Sequence, residues 1–244
     1  VKAQPALANE EPFKAVVTGD RAAMARFTEA DLLKIVGASQ AGLTIEAFRD
    51  VVKAWAATAK HPRFQRPYTE LVYAPMVEAM KYLRANGYRT YIVTGGGQEF
   101  VRAFADAVYG VPPEQVIGSM LKVDYSVRNG VPTLTNAPAV FFVNDKAGKP
   151  VGINMVIGQR PQAAFGNSDG DQQMLEWTTA GAGARLGMLV LHDDAQREFA
   201  YGPATGLPES KVGTFTQSLY DEAKAKGWSV ISIKKDWKRV FSFE

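Results

Sequence analysis

Two short apolar runs in this chain, YIV at 91–93 and AAF at 163–165, each break into a polar, glycine-bearing stretch that leads into a helical pattern, TGGGQEF and GNSDGDQQML. A strand that opens into such a turn and then a helix is the unit of an α/β sheet, where ligands bind at the carboxyl ends of the strands. The runs VIGSML, RPQAAF, ARLGMLVL and WSVISI are each short enough to be buried strands, with helical patterns between several of them. This alternation predicts a parallel sheet covered by helices on both faces, a three-layer αβα arrangement. The spacing predicts a helix over 73–86 closed by Asn86-Gly87, a strand over 88–93 and a helix from about 98 to 109. Asn129-Gly130, between KVDYSV and VPTLT, predicts a β-hairpin, so one ribbon leaves the parallel order.

The first quarter of the chain reads differently. Residues 13 to 60 carry apolar positions at helical spacing, with Phe27, Leu32, Leu33, Ile35 and Val36 in one group and Phe48, Val51, Val52 and Trp55 in another. Thr28 and Thr44 sit where helix N-caps belong. The segment KHPRFQRPY (60–68) has two prolines and no periodicity, which makes it the expected boundary. The expected organisation is a helical unit over residues 1–66 and an α/β body over 67–244, with Phe27, Phe48 and Trp55 packed in a core.

With 46% apolar and 22% charged residues, the chain can bury a substantial core. A net charge of +3 spread along the sequence does not form a nucleic-acid face, and WKR at 237–239 reads as a solvated end. The lack of cysteine excludes a disulfide framework, Cys-ligated zinc and a thiol nucleophile. No window reaches the ~18 uninterrupted apolar residues of a membrane span, so no membrane partner is expected. The N-terminus VKAQPALANEEPF is too polar for a signal peptide. Because the sequence starts at Val1, the expectation is that an upstream part or a removed signal peptide precedes it; compartment and oligomeric state stay open.

The chemistry concentrates at three places. Asn167, Asp169 and Asp171 stand at alternate positions of one turn and offer oxygen donors that suit a hard cation such as Mg²⁺, although a cluster serving only to cap the following helix would look the same. An EF-hand loop starting at Asn167 is ruled out, since its sixth and twelfth positions hold Gln172 and Thr178. Thr94 with Gly95 and Gly96 puts a hydroxyl and flexible backbone at another helix start, where an anion is favoured. Glycines in a merely tight connection would give the same letters. Lys149, in DKAGKPVGI, precedes a possible helix and lies between the two turns.

This order of a hydroxyl-glycine turn, a lysine before a helix and an acidic turn resembles the haloacid dehalogenase (HAD) superfamily of phosphohydrolases, in particular its phosphoserine-phosphatase-like branch with a helical cap. The resemblance covers nearly the whole chain. It implies that Thr94, with Gly95 and Gly96, is the second motif and binds the transferring phosphoryl group. It implies that Lys149 is the third, with Lys122 the runner-up, and that Gly166, Asn167 and Asp171 are the fourth, holding Mg²⁺ with Asp169 nearby. Asn167 stands where the family carries an acid, so it would ligate through an uncharged amide oxygen. The implied partner is a small phosphorylated substrate.

One motif of the family has no match. Its nucleophile is the first Asp of a DxDxT-type sequence ending the first strand, and the only D-x-D here is Asp169 with Asp171. The resemblance therefore implies that the central first strand is absent and that this sequence begins after it. An intact protein would form and hydrolyse an aspartyl-phosphate, whereas this chain is expected to turn over negligibly. The alternative is a non-catalytic module that binds an anion or nucleotide. Strands 88–93 and 160–165 would face each other across a strand position roughly 9 to 10 Å wide, or collapse together, and poor solubility follows from the unpaired edges. His61 and His192 are expected to be structural or solvated, since no G-x-S-x-G accompanies them.

Overall fold

The computed structural model describes residues 5–244. The N-terminal quarter is helical, as its periodicity requires: α1 (Phe13–Thr18), α2 (Arg21–Met24), α3 (Glu29–Gln40) and α4 (Ile45–Thr58). Thr28 and Asp31 form a reciprocal capping box at the start of α3. The Thr28 hydroxyl and backbone amide that bond the Asp31 carboxyl hold it below the usual carboxylate range. Thr44 accepts the Ala47 amide at 3.1 Å and starts α4. One face of α4 buries Ile45, Phe48, Val52 and Ala56. Val51 and Trp55, grouped with that face by sequence, lie outward instead; Trp55 stacks on Tyr68 at 5.4 Å. The side chain of Leu33 lies outside the described residues.

The rest follows the predicted alternation through α5 (Ala74–Ala85), β1 (Ile92–Gly97), α6 (Gln98–Arg102), α7 (Ala105–Tyr109), β2 (Val116–Arg128), β3 (Val131–Phe142), α8 (Gly148–Ile157), β4 (Ala163–Gly166), α9 (Gln172–Thr179), β5 (Leu186–Leu191), α10 (Gln217–Ala225), β6 (Ser229–Ser232) and α11 (Ile233–Asp236). The first strand starts later than predicted and continues through Thr94 and the three glycines, none of which needs a positive φ. The single helix expected over 98–109 is two five-residue helices, because Phe104 leaves helical geometry (φ −132°, ψ −7°). VIGSML and KVDYSV are one continuous strand, β2, whose first half pairs with β1 in parallel and whose second half pairs with β3. Asn129 (φ 51°) and Gly130 (φ 78°) close that ribbon with both residues left-handed, the two-residue geometry an Asn-Gly pair favours.

The strands form two three-stranded sheets, β1-β2-β3 and β4-β5-β6, parallel throughout except for the β2–β3 ribbon. Strands β1 and β4 are end strands, and among the described residues no ladder joins them. Side chains make the connection instead. Ile117 of β2, Ile153 of α8, Ala164 of β4 and Leu189 and Leu191 of β5 belong to one buried cluster, with Val93 of β1 packed on it.

One expectation about the chain's C-terminal end is corrected. The 237–239 stretch is not a solvated end: Trp237 is buried with Val240, Phe241, Ile233 and Val190, and Arg239 pairs with Glu78 at 2.8 Å. Aromatic residues flank the basic pair and take it down onto α5, where the Ala74 amide donates to the Val240 carbonyl. In the 60–68 segment, the expected boundary, the Arg63 guanidinium donates to the carbonyls of Ala195, Gln196 and Glu198.

Candidate active site

The carboxyl ends of β1 and β4 open into one cavity of about 1760 Å³. Its lining includes Thr94, Gly95, Gly96, Lys149, Asn167, Asp169 and Asp171, so all seven residues singled out by sequence meet in one place. Lys122 does not; it lies exposed on the ribbon, 3.4 Å from Asp124.

Lys149, the second residue of α8, turns its ammonium into the seam between the sheets. Its Nζ donates to Asp171 Oδ1 at 2.6 Å and to the Val93 carbonyl of β1 at 3.0 Å. Both partners of the pair are buried, at 7% and 4% exposure. The other Asp171 oxygen, Oδ2, accepts the amides of Asn167 (2.9 Å) and Ser168 (3.1 Å) and the Ser168 hydroxyl (3.2 Å). Asp171 therefore organises the acidic turn and neutralises the lysine at once. Two glycines make room for this arrangement. A Cβ on Gly166 would stand 2.5 Å from that of Asp171, and one on Gly170 would stand 2.5 Å from Asp145 Oδ1.

On the opposite side of the seam the Thr94 hydroxyl accepts the Gly96 amide at 3.0 Å. The Thr94 carbonyl takes a bond from Asn144 Nδ2 at 2.9 Å, and the Gly95 carbonyl takes one from the Ser119 hydroxyl at 2.7 Å. Ser119 also receives the Asn144 amide, so the glycine stretch is braced from β2 and from the end of β3. The helix that follows, α6, has only five residues, so the donors available at this turn are the Thr94 hydroxyl and local amides rather than a long helix terminus.

Of the three expected metal donors, Asp171 makes the bonds described above. Asp169 Oδ1 accepts the amide and hydroxyl of Thr216, both at 3.0 Å, which fixes the start of α10. Asn167 directs Nδ2 toward His192 Nε2 at 3.4 Å. Among the described residues no three His, Asp or Glu side chains converge as a metal cluster. Asp145, missed in the sequence, lines the same cavity with a carboxylate that takes no hydrogen bond among the described residues. It reaches Gly170 and Gly95, on the acidic turn and on β1. Oxygen donors of Asp145, Asn167 and Asp169 suit Mg²⁺ held jointly with a phosphate, the usual arrangement for that ion, and not a self-sufficient metal cage.

Behind Asn167 lies a second group the sequence did not reveal. His192 Nδ1 stands 3.1 Å from Glu198 Oε2, and the Tyr73 hydroxyl donates to Glu198 Oε1 at 3.1 Å. Tyr201 stacks on the imidazole at 4.4 Å between centroids. Burial, and then the Glu198 charge, push the Tyr201 hydroxyl up to about 12 against the opposing bonds of Asn167 and Tyr73. The same two causes raise Tyr73 above the ordinary tyrosine range. His192 follows directly on β5, at the carboxyl end of a strand, and that position was the one available signal.

Two largely parallel sheets with a cavity at the carboxyl ends of β1 and β4 define an α/β protein of the doubly wound class. A family model described as haloacid dehalogenase-like hydrolase matches residues 2–176, and the chain belongs to that family. The solved structure of a HAD family hydrolase from Salmonella enterica subsp. enterica serovar Typhi is 14% identical, with 80% of this chain and 59% of that chain covered and a TM-score of 0.41. This chain thus spans less than two thirds of that hydrolase. No curated protein matches the chain.

Proposed function

We propose that the cavity receives the phosphoryl group of a small phosphate monoester, and that the chain is the phosphate-binding part of a Mg²⁺-dependent HAD-type phosphatase. The observation that carries this reading is the Lys149 ammonium, bonded both to β1 at Val93 and to Asp171 on the acidic turn, with Thr94 on the same cavity wall. In this reading residues 1–66 serve as a cap over the body at 67–244. Thr94 and the Gly95 and Gly96 backbone bond phosphoryl oxygens, and Lys149 screens their charge. Asn167, Asp169 and Asp145 hold the cation, which neutralises the phosphate when bound, while Asp171 keeps the acidic turn and Lys149 in place.

No step of bond making falls to these residues. The family's nucleophilic D-x-D-x-T has no counterpart in the sequence, and turnover by this chain is therefore proposed to be negligible.

Calorimetric titration of the chain with inorganic phosphate, with and without Mg²⁺, tests the reading. Binding should require Mg²⁺ for full strength and weaken in Thr94→Val and Asp145→Asn; loss of one charge-assisted bond is worth about 1.5 to 3 kcal/mol, or roughly ten- to a hundredfold. Phosphate that fails to bind, or binds the same to all three proteins, removes the site. Hydrolysis of an aryl phosphate at an appreciable rate sinks the claim of negligible turnover.

A further inference from the structure

The polar turns occupy one end of the cavity; the remaining wall comes from elements with no motif and carries a group of apolar side chains beside Gln40, Asn136 and the Arg49–Glu99–Arg102 network. Leu32 and Val36 stand one turn apart on α3, and both line the cavity while staying exposed, at 52% and 39%. Val123, Leu134 and Val140 of the β2–β3 ribbon line it as well, at 41%, 47% and 38%. Leu134 pairs with Tyr125, two residues from Val123, so Val123 and Leu134 are diagonal neighbours on one ribbon face. Phe27, expected in a core, joins this wall. Large apolar side chains scattered singly over a surface need no explanation, but a set converging from two separate elements on one cavity does.

Three of the basic residues that share the cavity with this wall already have partners, while Lys146, exposed beside the acidic turn, lines the phosphate end. Glu99 takes Arg49 at 2.6 Å and Arg102 at 2.8 Å, which closes that ion network on itself. Lys211 donates to the Ala25 carbonyl. A second anionic group of a ligand would find no free cation among these three basic residues, whereas an apolar group would be desolvated against Leu32, Val36, Val123 and Leu134.

We propose, building on the phosphate-binding reading above, that the phosphate ester this cavity takes carries a hydrophobic, ring-sized or alkyl group, which rests on the α3 and ribbon wall while the phosphoryl group sits at Thr94 and Lys149. Polar phosphate esters such as glycerol phosphate gain no apolar burial there and meet only the Gln40 and Asn136 side chains, of which Asn136 keeps an unpartnered buried Nδ2. The wall is a selectivity element supplied by the helical unit and the ribbon together, and the Asn129-Gly130 turn that lets the ribbon form is thereby part of the specificity.

The experiment is a set of calorimetric titrations, in Mg²⁺, with 1-naphthyl phosphate, glycerol phosphate, inorganic phosphate and 1-naphthol. The expected result is that 1-naphthyl phosphate binds about tenfold or more tighter than glycerol phosphate, as burial of one face of the ring implies. Inorganic phosphate should compete with it. Val36→Asp and Leu134→Asn, both at exposed positions, should erase the preference and leave inorganic phosphate binding unchanged. Equal affinity for the two esters overturns this proposal and leaves the phosphate site standing. Failure of all three phosphates to bind overturns both readings. Naphthol binding that matches the ester and ignores phosphate shows an apolar surface unconnected with the phosphate site and overturns the proposal. So does a wild-type dimer that dissociates on Val36→Asp and shows no ester preference, since the wall would then be the seat of a second copy.

Discussion

Lys149 is buried and makes its two bonds to β1 and to the acidic turn that follows β4. Truncating it would leave the Asp171 charge unpaired in a site where that carboxylate is 4% exposed. Removing one partner of a buried pair typically destabilises by about 3 to 5 kcal/mol. Lys149→Ala is expected to lose stability of that order in urea denaturation, and a change below about 1 kcal/mol would contradict the pairing. An inactive Lys149→Ala protein would accordingly report on folding as well as on phosphate. The lysine and Asp171 were legible because spacing along the chain carried them. Asp145 and the His192–Glu198–Tyr73 group were not, since their members belong to segments that meet only once the sheets are built.

Among the elements, strands were easier to read than their ends. The apolar runs gave β4, β5 and β6 their places, but the TGGG letters suggested a turn where the backbone stays extended to Gly97. Glycine there serves close approach, and the same holds across the pair: a Cβ on Gly118 of β2 would lie 2.8 Å from the Gln98 Cα and 3.0 Å from the Gly96 carbonyl oxygen. Both obstacles are backbone and cannot swing aside. Gly118→Ala is therefore expected to push β2 away from the start of α6 and to destabilise by about 1 to 3 kcal/mol, the range for overpacking. A melting temperature equal to that of the parent would show that the approach is looser. The C-terminal stretch was misread for a related reason, because WKR shows its charges in sequence while its aromatic and aliphatic neighbours decide its place against α5.

At the scale of the whole molecule the two tyrosines behind Asn167 contribute to alkaline stability. Their folded-state values lie above the ordinary tyrosine value, Tyr201 at about 12. The unfolded chain releases those protons first, so the stability they contribute is complete below pH ~10 and is lost as pH rises through the folded values. Thermal melts between pH 9 and 12 should fall with a slope that Tyr201→Phe reduces; identical profiles for the two proteins would remove Tyr201 from the account. The split between β1 and β4 has a different consequence. Ladder bonds couple amides within each three-stranded sheet, whereas packed side chains, α8, the Lys149 clasp and a few loop contacts such as the Lys146 amide to the Gly170 carbonyl couple one sheet to the other. Native-state hydrogen exchange should then resolve two cooperative units with separate opening energies, the ribbon tip near Asn129 exchanging fastest and the Leu189 and Leu191 amides, inside the larger cluster, slowest. Such a molecule keeps two clocks, and a ligand that bridges Thr94 and the acidic turn would set them to the same time.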